Sequence, residues 1–153
     1  MNTQQDLRPV LVGESNPYGD DPRYALYPSP DGCSGHRLCR LVLGMHCRDY
    51  LSAFDRVNLC GGYWSMREAR QMAVQLLAER AGSASLILLG SKVCRAFGVA
   101  YVPFTVADGV LLRLPHPSGL CRVWSDPRAF ARARAAIASF VPEVAHLLGE
   151  VGP

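Results

Sequence analysis

Leu86-Ile87-Leu88-Leu89-Gly90-Ser91-Lys92 holds four successive apolar residues, then a glycine, then polar residues. An apolar run this short, with no polar alternation, reads as a strand buried on both faces, and such strands belong to parallel sheets covered by helices. Gly90 turns the chain into a short helix, Lys92 to Phe97. A strand that feeds a helix directly is half of a strand–helix–strand unit, so the flanking sequence should repeat that alternation.

It does so on the N-terminal side. Pro9-Val10-Leu11-Val12, closed by Gly13, is a second buried strand. A long segment from Gly13 to Gly35 follows, with Pro17, Pro22, Pro28 and Pro30 interleaved with Gly19, Gly32 and Gly35. These breakers preclude a regular element, and an irregular loop this long in a small domain is usually functional. Ser34 is placed to cap a helix over about His36 to Ala53, with Leu38, Leu41, Val42, Met45, Tyr50 and Phe54 near helical spacing. Arg56 to Cys60 reads as a strand stopped by Gly61-Gly62. Ser65 and Glu68 form a capping box for a helix to about Arg80, with Met66, Ala69, Met72, Ala73, Leu76 and Leu77 inward.

On the C-terminal side, Tyr101 to Val106 and Val110 to Leu114 are strand candidates joined at Asp108-Gly109, a hairpin turn signal. The second runs into Pro115-His116-Pro117-Ser118-Gly119-Leu120. Asp126 followed by Pro127 opens a last helix to about Phe140. The expected fold is a single α/β domain over residues 1–153. It is a three-layer α/β/α sandwich around a central, mostly parallel four-stranded sheet.

Composition fits that fold. The chain has 153 residues, 49% apolar and 19% charged, which excludes an intrinsically disordered tail. No apolar run reaches the roughly 18 residues of a membrane span, and Met1 to Arg8 lacks the apolar segment of a signal peptide, so a cytoplasmic monomer without membrane contact is expected. The net charge is +3, and Lys92 is the only lysine among 16 basic residues. Arginine suits bidentate phosphate contacts, so the balance permits nucleic-acid binding without requiring it. The six cysteines, Cys33, Cys39, Cys47, Cys60, Cys94 and Cys121, contain no C-x-x-C pair. They read as reduced core thiols, with no metal and no cofactor expected.

Ligands of an open parallel sheet bind at the carboxyl ends of its strands. Three segments lie there: Gly13-Glu14-Ser15-Asn16-Pro17-Tyr18-Gly19, the Asn58-Leu59-Cys60 strand end, and His116-Pro117-Ser118-Gly119-Leu120. In this order, a Gly-x-x-Asn-Pro-Tyr loop, an Asn on the second strand and a His-Pro-Ser loop near the last strand resemble the uracil-DNA glycosylase superfamily. The resemblance covers about residues 9 to 140.

The resemblance implies a monofunctional DNA glycosylase that hydrolyses the N-glycosidic bond of uracil or a modified or damaged base, releasing the free nucleobase and leaving an abasic site. Asn16 matches the polar residue that positions the attacking water, and Tyr18 the tyrosine that closes the pocket beside the base. Tyr27 is placed to stack on the extruded base, with Tyr24 second. Asn58 matches the amide that reads the pyrimidine edge, His116 the donor to the base carbonyl, and Leu120 the side chain that wedges into the duplex. Two residues, Glu14 and Ser15, stand between Gly13 and Asn16 where the family pattern has one, so Glu14 is an alternative water-orienting group. The cysteine spacing departs from the iron–sulfur branch of the superfamily.

These residue types suit the reaction. A base inside a duplex must be extruded to be cut, then held by stacking and edge hydrogen bonds. Charge developing on the departing base needs a preorganised donor. Ser15, Ser91, Lys92, Ser118 and Arg122 lie where hydroxyl and N–H groups could meet DNA phosphates. Arg128, Arg132 and Arg134 either extend that surface or form a solvated helix face. Two other readings stay open: a weak or inactive lesion-binding protein of the same fold, and a small-molecule enzyme such as a nucleoside hydrolase.

Overall fold

The computed structural model describes residues 8–16, 19–80 and 85–149. Five strands form one sheet: β1 (Val10–Asn16), β2 (Asp55–Gly61), β3 (Leu86–Leu89), β4 (Thr105–Ala107) and β5 (Leu111–Leu114). Their order is β2-β1-β3-β5-β4, parallel except for β4, which pairs antiparallel with β5 at one edge. The fold is the expected α/β sandwich with one strand more than the four anticipated.

Side chains alternate across each strand and sort into two cores. On one face Leu11, Ile87, Leu89, Leu112 and Leu114 pack against Leu38 and Leu43, Tyr50 of α2 (Cys47–Ala53), Phe54 just after it, and Ala133 and Ile137 of α5 (Arg128–Phe140). On the other, Val10, Val12, Leu86, Leu88 and Leu111 meet Ala69 and Leu76 of α3 (Met66–Glu79) and Val93 of α4 (Ser91–Ala96). Each such aliphatic side chain, fully buried, contributes about 1.5–3 kcal/mol of transfer free energy.

The β4–β5 turn is as the sequence indicates: Asp108 (φ 54°) and Gly109 (φ 74°) both lie in the left-handed region that a type I′ turn requires. Ser65 caps α3, its hydroxyl accepting the Glu68 N–H at 3.3 Å. Asp126 accepts the N–H of Arg128, so α5 begins two residues later than its acidic cap. Leu77, expected inward, is exposed on α3.

Three elements differ from expectation. β1 does not stop at Gly13 but continues to Asn16. Gly13 pairs in register with Asn58, and a Cβ there would sit 2.5 Å from Asn58 Oδ1, so this glycine makes room for a side chain rather than a turn. The helix expected over His36 to Ala53 is divided. A first turn, α1 (Ser34–His36), runs into a π-helical stretch, Arg37–Val42, which the Leu43 N–H closes onto Leu38 O, and Gly44 (φ 61°) ends it before α2. The wider π turn leaves Leu41 exposed instead of inward. The first turn is capped by Cys33, whose sulfur accepts the His36 N–H, and not by Ser34. Finally, strand pairing begins only at Thr105, because Phe104 has φ 66° and Arg113 Nη1 holds the Ala100 carbonyl at 2.7 Å.

Candidate functional site

Parallel pairing brings the carboxyl ends of β1, β2, β3 and β5 to one edge of the sheet. A cavity of about 650 Å³ opens there, lined by Glu14, Ser15, Asn16, Asn58, His116 and Ser118 among others. One wall is the segment from Tyr24 to Gly35; the other is His116 to Gly119. Tyr27 and Tyr24 both line it, their rings edge to face at 5.5 Å. Tyr18 and Pro17 lie outside the described residues.

The imidazole of His116 has a defined tautomer. Its Nδ1 accepts the backbone N–H of Ser118 at 3.1 Å, so in the neutral ring the proton resides on Nε2. Burial holds its pKa below the ordinary imidazole value, opposed by Glu14 and reinforced by Lys92. Nε2 stands 4.0 Å from Glu14 Oε1, too far for a hydrogen bond, which leaves both groups able to engage a guest. Gly90 (φ 100°) lets the chain after β3 pass close to this pair: a Cβ on it would lie 3.1 Å from His116 Cβ and 3.7 Å from Glu14 Oε1.

Asn58 is half-buried, and its amide forms no hydrogen bond with another described residue. Its side chain extends across Gly13, presenting a donor and an acceptor to the cavity. Asn16 is buried at the end of β1. The ensemble therefore offers a neutral N–H donor, a carboxylate, two amides and an aromatic wall, a set that can read the polar edge of a planar heterocycle and orient a small nucleophile beside it.

Both walls are held by side-chain donors reaching loop carbonyls. Tyr50 Oη donates to Leu26 O at 2.7 Å, and Arg56 Nη1 to Ala25 O at 2.8 Å, with the Arg56 guanidinium 5.6 Å from the Tyr27 ring centroid. Burial pushes the Tyr50 phenol pKa up, so it stays a donor. Gly35 packs on the Leu26–Tyr27 backbone so closely that a Cβ would collide with the Tyr27 carbonyl oxygen. On the opposite wall Trp124 Nε1 donates to His116 O at 2.7 Å and Arg37 Nε to Pro117 O at 3.0 Å.

The remaining sequence candidates do not line the cavity. Ser91 and Lys92 begin α4 next to Gly90, and Lys92 Nζ lies 5.9 Å from the Trp64 ring centroid. Leu120 is 92% exposed at the tip of the His116 loop, and Arg122 is exposed in the 3₁₀ turn that follows. Arg128 pairs with Asp126 at 2.9 Å, Arg132 lies over Phe104, and Arg134 binds the Leu41 and Val42 carbonyls. Arg134 is thus a strut, neither of the two roles considered for it.

Several cavity residues were not assigned a role in the site from the sequence: Leu26, Ser29, Pro30, Gly32, Cys33, Ser34 and Gly119. All but Gly119 fall in the breaker-rich segment whose length marked it as functional. Cys33 corrects the reading of the cysteines as core thiols, since it lines the cavity, and Cys47 is exposed. Cys39, Cys60 and Cys94 are buried, and burial pushes the Cys39 and Cys94 thiols up to about 12 and about 11. Among the described residues there is no disulfide, no cluster of three or more metal-binding side chains, and no helix long and apolar enough to cross a membrane.

The chain matches no known protein family, no curated protein and no solved structure.

Proposed function

We propose that this protein is a monofunctional DNA glycosylase acting on uracil or a modified or damaged base extruded from DNA. The observation that carries the reading is the convergence of Glu14, Asn16, Asn58 and His116, from three separate segments, on one cavity with Tyr27 in its wall. In this reading Tyr27 stacks on the extruded base and Asn58 reads its edge. The neutral Nε2–H of His116 donates to a base carbonyl oxygen, where negative charge grows as the glycosidic bond breaks.

Water then adds to the cationic sugar carbon. Of the two candidates to orient it, Glu14 is the stronger base and faces His116 across 4.0 Å, whereas an amide such as Asn16 can only position the water. The cleaved base departs as an anion stabilised by His116, the sugar retains the new hydroxyl, and the proton shed by the water ends on the departing base, directly or by way of the Glu14 carboxylate. DNA is the proposed partner, the free base and the abasic strand the products, and a cytoplasmic monomer without a cofactor the working form.

Oligonucleotides each carrying one modified base, incubated with the protein and then treated with alkali, test this. Strand cleavage at one or more of these bases, abolished in Glu14→Gln or Asn16→Ala, is the expected result and identifies the water-orienting residue. Absence of abasic sites with every base would sink the enzyme reading. Duplex affinity without turnover would support the lesion-binding alternative.

A further inference from the structure

Several of the described arginines are held by acceptors within the fold, and those that are not are exposed. Arg23, Arg80 and Arg128 pair with carboxylates at 2.8, 2.9 and 2.9 Å. Arg113 is bound to the Ala100 and Thr105 carbonyls and the Thr105 hydroxyl, and Arg134 to the Leu41 and Val42 carbonyls. Arg37 differs. It is half-buried, yet the only hydrogen bond its side chain makes to a described residue runs from Nε to Pro117 O. No described carboxylate lies within ion-pair distance. Among the described residues its terminal nitrogens have no acceptor, and a half-buried guanidinium favours an anionic partner.

The position of that guanidinium indicates which anion. Its Cζ and Nη1 would lie 3.5 and 3.6 Å from a Cβ on Gly119, so the charged head rests against the Ser118–Gly119 backbone at the cavity mouth. The Gly119 N–H donates to no described residue, and the Ser118 hydroxyl oxygen accepts from Leu120 N, which leaves its proton available. Leu120, the most exposed large apolar side chain of the described residues, is the next residue.

We infer that Arg37 is a phosphodiester-binding residue: its Nη groups, with the Gly119 N–H and the Ser118 hydroxyl, hold the DNA phosphate flanking the extruded nucleotide, while its Nε fixes the loop that carries His116. This rests on the glycosylase reading. It adds a residue that couples backbone grip to placement of the leaving-group donor. Nε serves the loop and the Nη pair serves the phosphate, so one planar head performs both tasks.

The test is the salt dependence of binding to a fluorescent duplex containing a stable abasic-site analogue, for the wild type, Arg37→Gln and Arg37→Lys. Loss of one phosphate contact lowers the slope of log affinity against log salt by about 0.9, and about tenfold weaker binding near 50 mM salt is expected for Arg37→Gln, while Arg37→Lys keeps the wild-type slope. Weaker binding by both variants with unchanged slopes would make Arg37 a loop strut only and overturn the inference, leaving the glycosylase reading intact. A wild type without salt-dependent duplex affinity would overturn both. Independently of any variant, the Arg37 Nε–H resonance of the wild-type protein should shift when the duplex is added and return when salt is raised; an unmoved resonance counts against the inference.

Discussion

The two walls of the cavity are built by the same device but anchored differently. The Tyr24–Gly35 wall hangs from buried or sheet-borne donors: Tyr50 in α2 and Arg56 in β2 grip the Leu26 and Ala25 carbonyls. The His116–Gly119 wall hangs from the core residue Trp124 and the half-buried Arg37, both of which grip backbone carbonyls, so the His116 side chain is not part of that anchorage. Disturbing the first wall should therefore unsettle the fold. Disturbing the second at the His116 side chain should leave the fold standing and alter the cavity alone.

The largest effect expected is on the second wall. Under the glycosylase reading, His116→Ala removes the donor to the departing base and should lower kcat by about 100- to 1,000-fold. Its melting temperature should stay near that of the wild type, checked by single-turnover kinetics alongside thermal denaturation. A large loss of stability in this variant would erase the contrast between the walls.

Next comes Gly35→Ala on the first wall. The added methyl meets the Tyr27 carbonyl rather than a flexible side-chain end, so the backbone must shift, and about 3 kcal/mol of destabilisation is expected by urea unfolding. Tyr50→Phe should follow at about 1–3 kcal/mol, since it strips the Leu26 carbonyl of its buried donor while preserving the ring. If Tyr50→Phe proved neutral, the first wall would not depend on the core in the way its hydrogen bonds indicate.

The smallest effect is a pH dependence. His116 has a folded pKa below its unfolded value of about 6.5, so the unfolded chain takes up the proton first. The associated stability is present above that value and is lost as pH falls from it through the folded pKa. Unfolding measured from neutral to mildly acidic pH should show this decline, and His116→Gln should flatten it.

Much of the fold could be read from local chemistry. Leu86 to Leu89, the Ser65 cap and the Asp108-Gly109 turn each carry their own signal, and each occurs where that signal placed it. Errors arose where a residue answers to a distant partner. Gly13 resembles a strand end, yet it is small because Asn58 lies across it from the neighbouring strand. Gly44 divides a helix that apolar spacing alone would continue, and its close neighbours are Arg134 and Gly149, far along the chain. For the site, the motif residues Glu14, Asn16, Asn58 and His116 were legible as types at strand ends. The Tyr24–Gly35 wall was legible only as a long loop, because the donors that grip its Leu26 and Ala25 carbonyls lie in α2 and β2.

One consequence follows from the place of β1 in the sheet. It lies between β2 and β3, sends Leu11 into one core and Val10 and Val12 into the other, and ends in the residues of the cavity. Its amides should therefore exchange with deuterium only through whole-molecule unfolding, whereas those of the two loops exchange through local opening. Glu14 and Asn16 thus extend from a strand whose first half, Val10 to Val12, is clamped on both sides, so the cavity floor should open more slowly than the loops around it.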